Sequence, residues 1–330
     1  MISATPTRAI VLVVIVVLPG CAGVQSVLDP GGPAAARIAV LAWVLFSLSG
    51  IIFLAVLGAT WVAIRGPRVA RARLAGVRSV VLGGIVLPAL TLTGLLAYGV
   101  WLTQAGIGPA AGNPFHVEVV GEQWWWRIRY VGDNGQRIAG ANEIRIPVGR
   151  PVELTLKSAD VIHSFWVPNL GGKVDMIPGH TTKLRVLADR AGVSRGQCAE
   201  FCGGPHALMA LEVVAMPADE HRQWLLEQAA PAPEPPTDTA KLGRSLFLAV
   251  GCGACHTVRG TEAAGTIGPD LTHVGGRRSL AGATLPNGKE HLVRWIRENQ
   301  HIKPENLMPA YRNLTDAQLE ALATYLEGLR

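Results

Sequence analysis

Residues 198–209 read Cys198-Ala-Glu-Phe-Cys202-Gly-Gly-Pro-His206-Ala-Leu-Met209, which places two thiols, an imidazole and a thioether within a single short loop. Soft sulfur ligands combined with imidazole suit copper or zinc. A further histidine, His163, lies upstream at the end of a predicted strand, from which the fold can return it to the loop. The pattern therefore predicts a metal site built from one loop and one more distant histidine.

Two simpler interpretations compete with a copper site. Cys198 and Cys202 can form a disulfide, or the two cysteines and two histidines can form a structural zinc site. Zinc has no use for the thioether of Met209, and a disulfide needs neither histidine nor methionine. The residue types therefore favour copper.

The metal loop lies in a segment of short β-rich runs that are separated by glycine, proline, asparagine and aspartate. We predict a small β-sandwich or barrel over residues 113–220. Residues 229–238 (Ala-Ala-Pro-Ala-Pro-Glu-Pro-Pro-Thr-Asp) favour an extended polyproline conformation and are predicted to be a semi-rigid linker outside any packed core. The predicted strands are Phe115–Val120, Trp124–Tyr130, Glu143–Pro147, Val152–Leu156 and Lys183–Leu187.

Beyond the linker, residues 239–330 form a predicted small helical domain that contains Cys252-Gly-Ala-Cys255-His256. This is the attachment pattern of c-type haem, in which two thiols bond the vinyl groups and the histidine ligates the iron. A thioredoxin-like CxxC competes with this interpretation, but it belongs to a βαβ setting and does not require the histidine. The predicted helices are Lys241–Val250, Lys289–Asn299 and Thr315–Leu329.

A second axial ligand for the iron must come from the same domain. Met308 is the only methionine there and is the first choice. The rivals, for a bis-histidine iron, are His273, His291 and His301. The remaining histidines His116, His180 and His221 lack partner spacing and are predicted to be surface or hydrogen-bonding residues.

The N-terminal third is membrane-like. Apolar residues make up 49% of the chain and charged residues only 16%, and mean hydropathy is +0.29. Two uncharged stretches, residues 38–64 and 79–102, are each long enough to cross the hydrocarbon core of a bilayer. Five arginines and no acid lie between them, so the positive-inside rule predicts a cytoplasmic loop and exported domains. The formal net charge of +6 is thus concentrated beside the spans, and nucleic acid is not the expected partner.

The first residues resemble an export signal. An apolar run over residues 9–18 follows Arg8 and is too short to span a bilayer, so residues 1–20 are predicted to be a signal peptide. Leu-Pro-Gly-Cys21 resembles a bacterial lipobox, in which Cys21 is lipidated and starts the mature segment 21–37; the alternative is a plain signal with an incidental cysteine.

The metal loop resembles the dinuclear copper A domain of cytochrome c oxidase subunit II. The resemblance extends to the block 160–168, to Gly-Gly-Lys-Val-Asp (171–175), to Pro178-Gly179 and to the cluster Gln-Trp-Trp-Trp (123–126). It implies that Trp124 receives electrons and that the Glu200 carboxylate faces a magnesium ion at the boundary with subunit I. It further implies that two copper ions are bound in the loop. Cys198 and Cys202 would bridge both ions, and His163 and His206 would each bind one ion. Met209 would be a weak ligand, and Glu200 would contribute its backbone carbonyl.

The C-terminal domain resembles class I cytochrome c. Asn-Leu-Met308-Pro-Ala-Tyr lies before the final helix, as the methionine loop of that family does, and Gly-Pro269-Asp-Leu resembles the segment whose proline carbonyl holds the proximal histidine. The resemblance implies one covalent haem c ligated by His256 and Met308.

Together these features identify a multidomain membrane protein with a two-helix transmembrane hairpin, an all-β cupredoxin-like copper domain and an all-α class I cytochrome c domain. The whole chain resembles subunit II of a caa-type cytochrome c oxidase in a bacterial plasma membrane. Such a subunit passes electrons from cytochrome c or a similar donor, through haem c and copper A, to haem a of subunit I, where oxygen is reduced and protons are pumped. Neither span contains a histidine, so neither ligates haem a or the third copper.

Two other functions stay open at the level of sequence: a copper-A subunit of a nitric oxide reductase, and a free-standing membrane-anchored electron-transfer protein. The chain also departs from many family members, because the approach to the second span, Val-Arg-Ser-Val (77–80), contains no carboxylate to assist proton uptake.

Overall fold

The computed structural model describes residues 22–107, 113–132 and 135–330. Its first part contains two helical stretches, Pro33–Arg65 and Val77–Leu102, that are long and apolar enough to cross a membrane. Both predicted spans are thus apolar helices, the first of which begins five residues before the predicted start, and their crossing of a membrane stays a prediction. The predicted signal peptide and Cys21 lie outside the described residues. The elements are α1 (Pro33–Arg65), α2 (Arg68–Leu74), α3 (Val77–Val81), a π-helical turn (Leu82–Val86) and α4 (Leu87–Ile107).

Helix α1 is apolar around its whole circumference. Large side chains such as Phe46, Phe53, Leu54 and Trp61 are exposed on successive turns. A helix without a polar face that is not buried in protein is suited to a lipid environment.

The first soluble domain is a β-sandwich of two five-stranded sheets, with strand orders β3-β2-β1-β5-β8 and β4-β10-β9-β6-β7. All pairs are antiparallel except β1 with β5 and β4 with β10. The strands are β1 (Phe115–Glu122), β2 (Trp125–Val131), β3 (Arg137–Ala141), β4 (Glu143–Pro147), β5 (Val152–Ser158), β6 (His163–Trp166), β7 (Val174–Met176), β8 (Thr182–Val186), β9 (Gly192–Cys198) and β10 (Ala210–Met216).

Alternation along the strands creates the core between the two sheets. On β2 the side chains of Trp126, Ile128 and Tyr130 are buried, while their neighbours are only partly covered. The five predicted strands are all confirmed. Strand β9 (Gly192–Cys198) was not predicted because its glycines and polar residues carry no apolar alternation, and its conformation depends on pairing with β10 and β6.

The segment before the first span is attached to this sandwich. The amide of Gly31 donates to the carbonyl of Asn169 at 2.7 Å, and the carbonyl of Gly31 accepts from the amide of Asp189 at 2.9 Å. The amide of Arg195 donates to the carbonyl of Val24 at 2.7 Å. These backbone bonds fix residues 24–31 on the β-domain.

A helix that the sequence analysis missed, α5 (Ala218–Ala229), follows the last strand. Pro217 before it and two acids in its first turn are the signals that could have found it. The proline-rich segment that follows is predicted from sequence to lie outside any packed core, and this prediction is wrong for Ala232. The amide of Ala232 donates to the carbonyl of Arg259 at 2.9 Å, and Ala232 packs against the core of the next domain.

The C-terminal domain is helical, as predicted, and is built on α6 (Asp238–Ala249), α7 (Lys289–Ile302) and α8 (Asp316–Gly328), with a short hairpin of β11 (Ser279–Leu280) and β12 (Leu285–Pro286). Thr315 caps α8 in a capping box with Gln318, which confirms the predicted start of that helix. Helices α6 and α8 cross at Gly243, and Phe247 meets Tyr325 edge to face with ring centroids 5.9 Å apart.

The crossing of α6 and α8 depends on the absence of a side chain at position 243. A methyl group there would lie 2.0 Å from the backbone carbonyl oxygen of Ala321, so Gly243→Ala must force the helices apart. We expect the substitution to destabilise the domain by about 3 kcal/mol, the upper range for overpacking. The control is Gly328→Ala at the end of α8, where no atom lies within 4 Å of the added methyl. Thermal melts of the detergent-solubilised chain test this, and equal midpoints for the two variants would contradict it.

Candidate copper and haem sites

The two cysteines, two histidines and methionine of the predicted metal site converge at one end of the sandwich. Cys198 is the last residue of β9. His163 is the first residue of β6, so the prediction that it ends a strand is wrong; β6 pairs with β9 so that Phe165 lies opposite Cys198. A short 3-10 turn over His206–Leu208 returns the chain to β10. His163, Cys198, Cys202 and Met209 are all buried.

The donor atoms are close together. The two cysteine sulfurs lie 3.8 Å apart. His163 Nδ1 lies 3.8 Å from Cys198 Sγ, and His206 Nδ1 lies 3.3 Å from Cys202 Sγ. Met209 Sδ is 3.8 Å from Cys202 Sγ. Each sulfur therefore has its own imidazole beside it, and the thioether supplies one further donor.

The ring of His163 is held in one orientation. Its Nε2 lies 2.8 Å from Asp160 Oδ1, so Nδ1 is left to face Cys198. A carboxylate that fixes the second ring nitrogen is the usual support of a metal-bound histidine. Asp160 is thus a supporting residue, a role that the sequence of the block 160–168 does not reveal.

The thiols are chemically unequal in this cluster. The pKa of Cys198 is well below its ordinary value, mainly because of its contact with the Cys202 thiol and secondly because of its contact with the His163 ring. The contact between the two thiols raises the pKa of Cys202. The pair therefore shares a proton, which metal binding displaces because a metal takes thiolates.

These residues fit a thiolate-bound metal. The ligand atoms of His163, Cys198 and Cys202 all lie within 4.8 Å of one another, and His206 and Met209 extend the set. A disulfide does not describe the loop, because its two cysteines are free thiols and their separation far exceeds the ~2.05 Å of an S–S bond.

Glu200 presents two different groups. Its backbone carbonyl lies 3.2 Å from Cys198 Sγ, on the inner side of the loop. Its carboxylate is about half exposed and lies 3.7 Å from the ammonium of Lys173. The carbonyl is thus part of the donor cluster, and the role of the carboxylate towards magnesium stays a prediction.

Trp124 adjoins the cluster. Its indole Nε1 donates to the carbonyl of Cys202 at 2.9 Å, and the side-chain amide of Gln123 donates to the same oxygen at 2.7 Å. Trp126 is fully buried in the core, where its ring packs edge to face on Phe165. Among the three consecutive tryptophans, Trp124 is therefore the one whose polar group contacts a metal-site residue.

The position of the His163 ring depends on Gly121 of β1. A methyl group at residue 121 would lie 2.7 Å from His163 Cδ2, so Gly121→Ala must displace the imidazole. We expect copper affinity to fall about tenfold or more, as for other losses of ligand support. Chelator competition measures this. Gly172→Ala, where the added methyl meets no atom within 4 Å, is the control, and equal affinities would refute the steric argument.

The second site is formed by Cys252, Cys255 and His256 at a 3-10 turn after α6. The His256 Nδ1 lies 2.8 Å from the carbonyl of Pro269, which confirms the contact expected from the resemblance and leaves Nε2 free for iron. Burial lowers the pKa of His256, so the ring stays neutral, as a ligand must. Gly268 lies so close to the ring that a methyl there would be 2.6 Å from it.

The methionine loop is held near this turn. Gln300 Nε2 donates to the carbonyl of Met308 at 3.0 Å, and Asn299 Nδ2 donates to the carbonyl of Pro309 at the same distance. Tyr311 interacts with the thiol of Cys252. Cys252, Met308 and Tyr311 all pack against the same hydrophobic core.

Two observations bear on the rival interpretations. His273 is buried with its Nε2 3.1 Å from the carbonyl of Ala230, His291 is partly buried and His301 is exposed. The choice of Met308 as the second axial ligand stays a prediction. Burial raises the pKa of Cys252 to about 11. A redox-active CxxC needs a lowered thiol pKa, so a thioredoxin-like role is disfavoured.

These features together define a membrane-anchored electron-transfer subunit. The chain matches the family "Cytochrome C oxidase subunit II, periplasmic domain" over residues 131–216 and the family "Cytochrome c" over residues 240–330. It is 38% identical over 246 residues to cytochrome c oxidase subunit 2 of Alkalihalophilus pseudofirmus, an alignment that covers 74% of this chain and 69% of the relative. The chain therefore belongs to the cytochrome c oxidase subunit 2 family, as a member with a C-terminal cytochrome c domain.

Two further similarities were found. Cytochrome c oxidase subunit 2 of Bacillus subtilis is 36% identical over 234 residues, covering 68% of this chain and 64% of the relative. The solved periplasmic domain of subunit II of cytochrome oxidase from Bradyrhizobium japonicum is 29% identical and covers 37% of this chain and 96% of that domain, with a TM-score of 0.34.

Proposed function

We propose that this chain is the subunit through which electrons enter a caa-type cytochrome c oxidase. The single observation that carries the proposal is the convergence of two thiols, two imidazoles and a thioether in one cluster, on a chain that also holds a CxxCH histidine bonded to a proline carbonyl. The membrane helices and the family membership support the same assignment.

In this proposal the β-domain holds a dinuclear copper A centre. Cys198 and Cys202 bridge both ions, and His163 and His206 each bind one. Met209 and the carbonyl of Glu200 complete the ligand set, as the family resemblance implies. The buried, preformed arrangement keeps the ligands in place when the charge of the centre changes, because Asp160 orients His163 and Trp124 and Gln123 hold the carbonyl of Cys202.

The C-terminal domain holds one covalent haem c. Cys252 and Cys255 form the thioether bonds, His256 is the proximal ligand and Met308 the distal one. Pro269 fixes the orientation of the proximal ring through its carbonyl. Methionine ligation raises the potential of a haem relative to two histidines, which suits a relay to copper.

When bound, the haem and the two copper ions would supply one-electron redox chemistry, with no atom transferred. The protein residues supply position and insulation. Trp124 lies between the haem domain and the carbonyl of Cys202 and is the residue we assign to receive electrons.

The partners follow from this role. Subunit I carries haem a and the third copper, where oxygen is reduced to water with proton pumping, and cytochrome c or a similar protein is the donor. Both soluble domains lie on the periplasmic side of the bacterial plasma membrane, and the arginine-rich loop, which includes α2, is cytoplasmic. Glu200 contributes its carboxylate to a magnesium ion at the boundary with subunit I.

The test is to purify the chain with its membrane partners and to assay oxygen uptake and nitric oxide turnover with a reduced donor. An a-type haem band with oxygen consumption supports the proposal. Nitric oxide turnover without a-type haem would move the assignment to a reductase. A stable chain that purifies with no catalytic subunit would indicate a free-standing electron-transfer protein.

A further inference from the structure

A buried lysine joins the two soluble domains. Lys303 follows helix α7 and is only 3% exposed. Its ammonium donates to three backbone carbonyls, those of Trp124 at 2.6 Å, Leu208 at 3.0 Å and Ala281 at 3.0 Å. Two of these carbonyls belong to the β-domain, next to the metal cluster, and the third belongs to the haem domain.

This contact is unusual for a lysine. Lysine is almost never fully buried unless its charge is matched, and here three carbonyl oxygens match the three N–H donors of the ammonium. Burial lowers the pKa of Lys303 to about 7. The side chain is therefore a buried hydrogen-bonding link between the two domains and is not part of the solvated surface.

The tip of the β11–β12 hairpin makes a second contact with the same part of the β-domain. The carbonyl of Gly282 accepts from the amide of Ala210 at 3.2 Å, and the carbonyl of Ala283 accepts from Arg195 Nη1 at 3.0 Å. Residues 281–283 all have positive φ, between 55° and 72°. In this conformation the carbonyls of Gly282 and Ala283 accept from the β-domain, while that of Ala281 accepts from Lys303.

The metal cluster lies directly behind these contacts. Leu208 and Ala210, which accept from or donate to the haem domain, flank Met209 in the sequence. The carboxylate of Glu305 fills the space beside Gly204 of the 198–209 loop. The haem domain thus touches the metal loop at several points.

The same contacts cover the tryptophan to which we assign electron reception. Trp124 is 8% exposed, its carbonyl accepts from Lys303 and its indole donates to the carbonyl of Cys202. Lys303 lies five residues before Met308. The same loop therefore contacts the β-domain and carries the predicted haem ligand.

We propose that Lys303 is a positioning residue that holds the haem domain against Trp124 and the 198–209 loop, so that an external donor delivers electrons to the haem domain and not directly to the copper domain. This inference rests on the proposed function for its role in electron transfer. The attachment of the two domains to each other is measured separately, by hydrogen exchange of the Ala210 amide.

The test compares three variants of the full chain in its complex. Lys303→Met removes the ammonium at similar length, and Arg195→Met removes the hairpin bond from the β-domain side. Lys241→Met is the matched control, because Lys241 is an exposed lysine of the same haem domain. The readouts are hydrogen exchange of the Ala210 amide and the rate of electron transfer from haem c to copper after flash reduction.

We expect Lys303→Met to slow interdomain electron transfer about tenfold or more, because both of its hydrogen bonds to the β-domain are lost. Exchange at Ala210 should accelerate by a similar factor, and Arg195→Met should change both readouts in the same direction while haem and copper spectra stay normal. If Lys303→Met shows the same hydrogen-exchange rate at Ala210 and the same electron-transfer rate as the wild type, the proposal is overturned. If Lys303→Met does not accumulate, unchanged readouts in Arg195→Met would overturn it.

The two proposals fail in distinguishable ways. A wild-type chain that lacks a c-type haem band or a copper signal contradicts the proposed function. In that case, comparing hydrogen exchange of the Ala210 amide in Lys303→Met and wild type still tests the attachment of the haem domain to the β-domain, because this measurement needs no electron transfer.

Discussion

Cys202→Ser is expected to abolish the dinuclear copper centre. The Cys202 sulfur lies at the centre of three other donors, with Cys198 Sγ and Met209 Sδ each at 3.8 Å and His206 Nδ1 at 3.3 Å. A serine hydroxyl is a hard and weakly acidic ligand that cannot replace a bridging thiolate. Copper per chain should therefore fall from two to one or none, as measured by elemental analysis, and any remaining signal should be that of a single copper ion.

Cys252→Ser is the matched control for this prediction, because it replaces a cysteine of the same chain outside the copper cluster. It should leave the copper content at two per chain. A Cys202→Ser protein that retains two coppers and the wild-type spectrum would contradict the assignment of Cys202 as a bridge.

The second large effect is expected for the haem domain. The double variant Cys252→Ala with Cys255→Ala removes both thiols of the CxxCH turn, so no thioether bond can form. Haem staining of the denatured chain, which detects only covalent haem, should be lost completely. The copper content should be unchanged, because the copper ligands lie in the other soluble domain.

Haem that survives denaturation in the double variant would show attachment elsewhere and would contradict the assignment. Met308→Ala serves as the comparison, since it should retain covalent haem but change its absorption spectrum. The two variants thus separate attachment of the haem from its axial ligation.

The local parts of both sites were predictable from sequence because their spacing is set within a few residues. The 198–209 loop and the CxxCH turn need only the chain itself to bring their side chains together. The pairing of His163 with Cys198 was predictable only in outline, since it depends on the antiparallel register of β6 and β9. The strand β9 gives no apolar alternation from which that register could have been read.

Other features depended on long-range contacts. Lys303 carries no signal in the sequence, because a lysine at a helix end is ordinarily solvated, and only the tertiary fold supplies its three carbonyl partners. The proline-rich segment was wrongly expected to stay outside a core. Proline restricts backbone conformation but does not prevent Ala232 from pairing with Arg259 and packing on the haem domain.

The measurement that tests the central claim most directly is electron paramagnetic resonance of the oxidised full chain, together with its copper and haem content. We expect two coppers and one covalent haem per chain, with a copper signal in which one unpaired electron is shared equally by two nuclei. A signal from a single copper nucleus, or zinc in place of copper, would contradict a dinuclear copper centre.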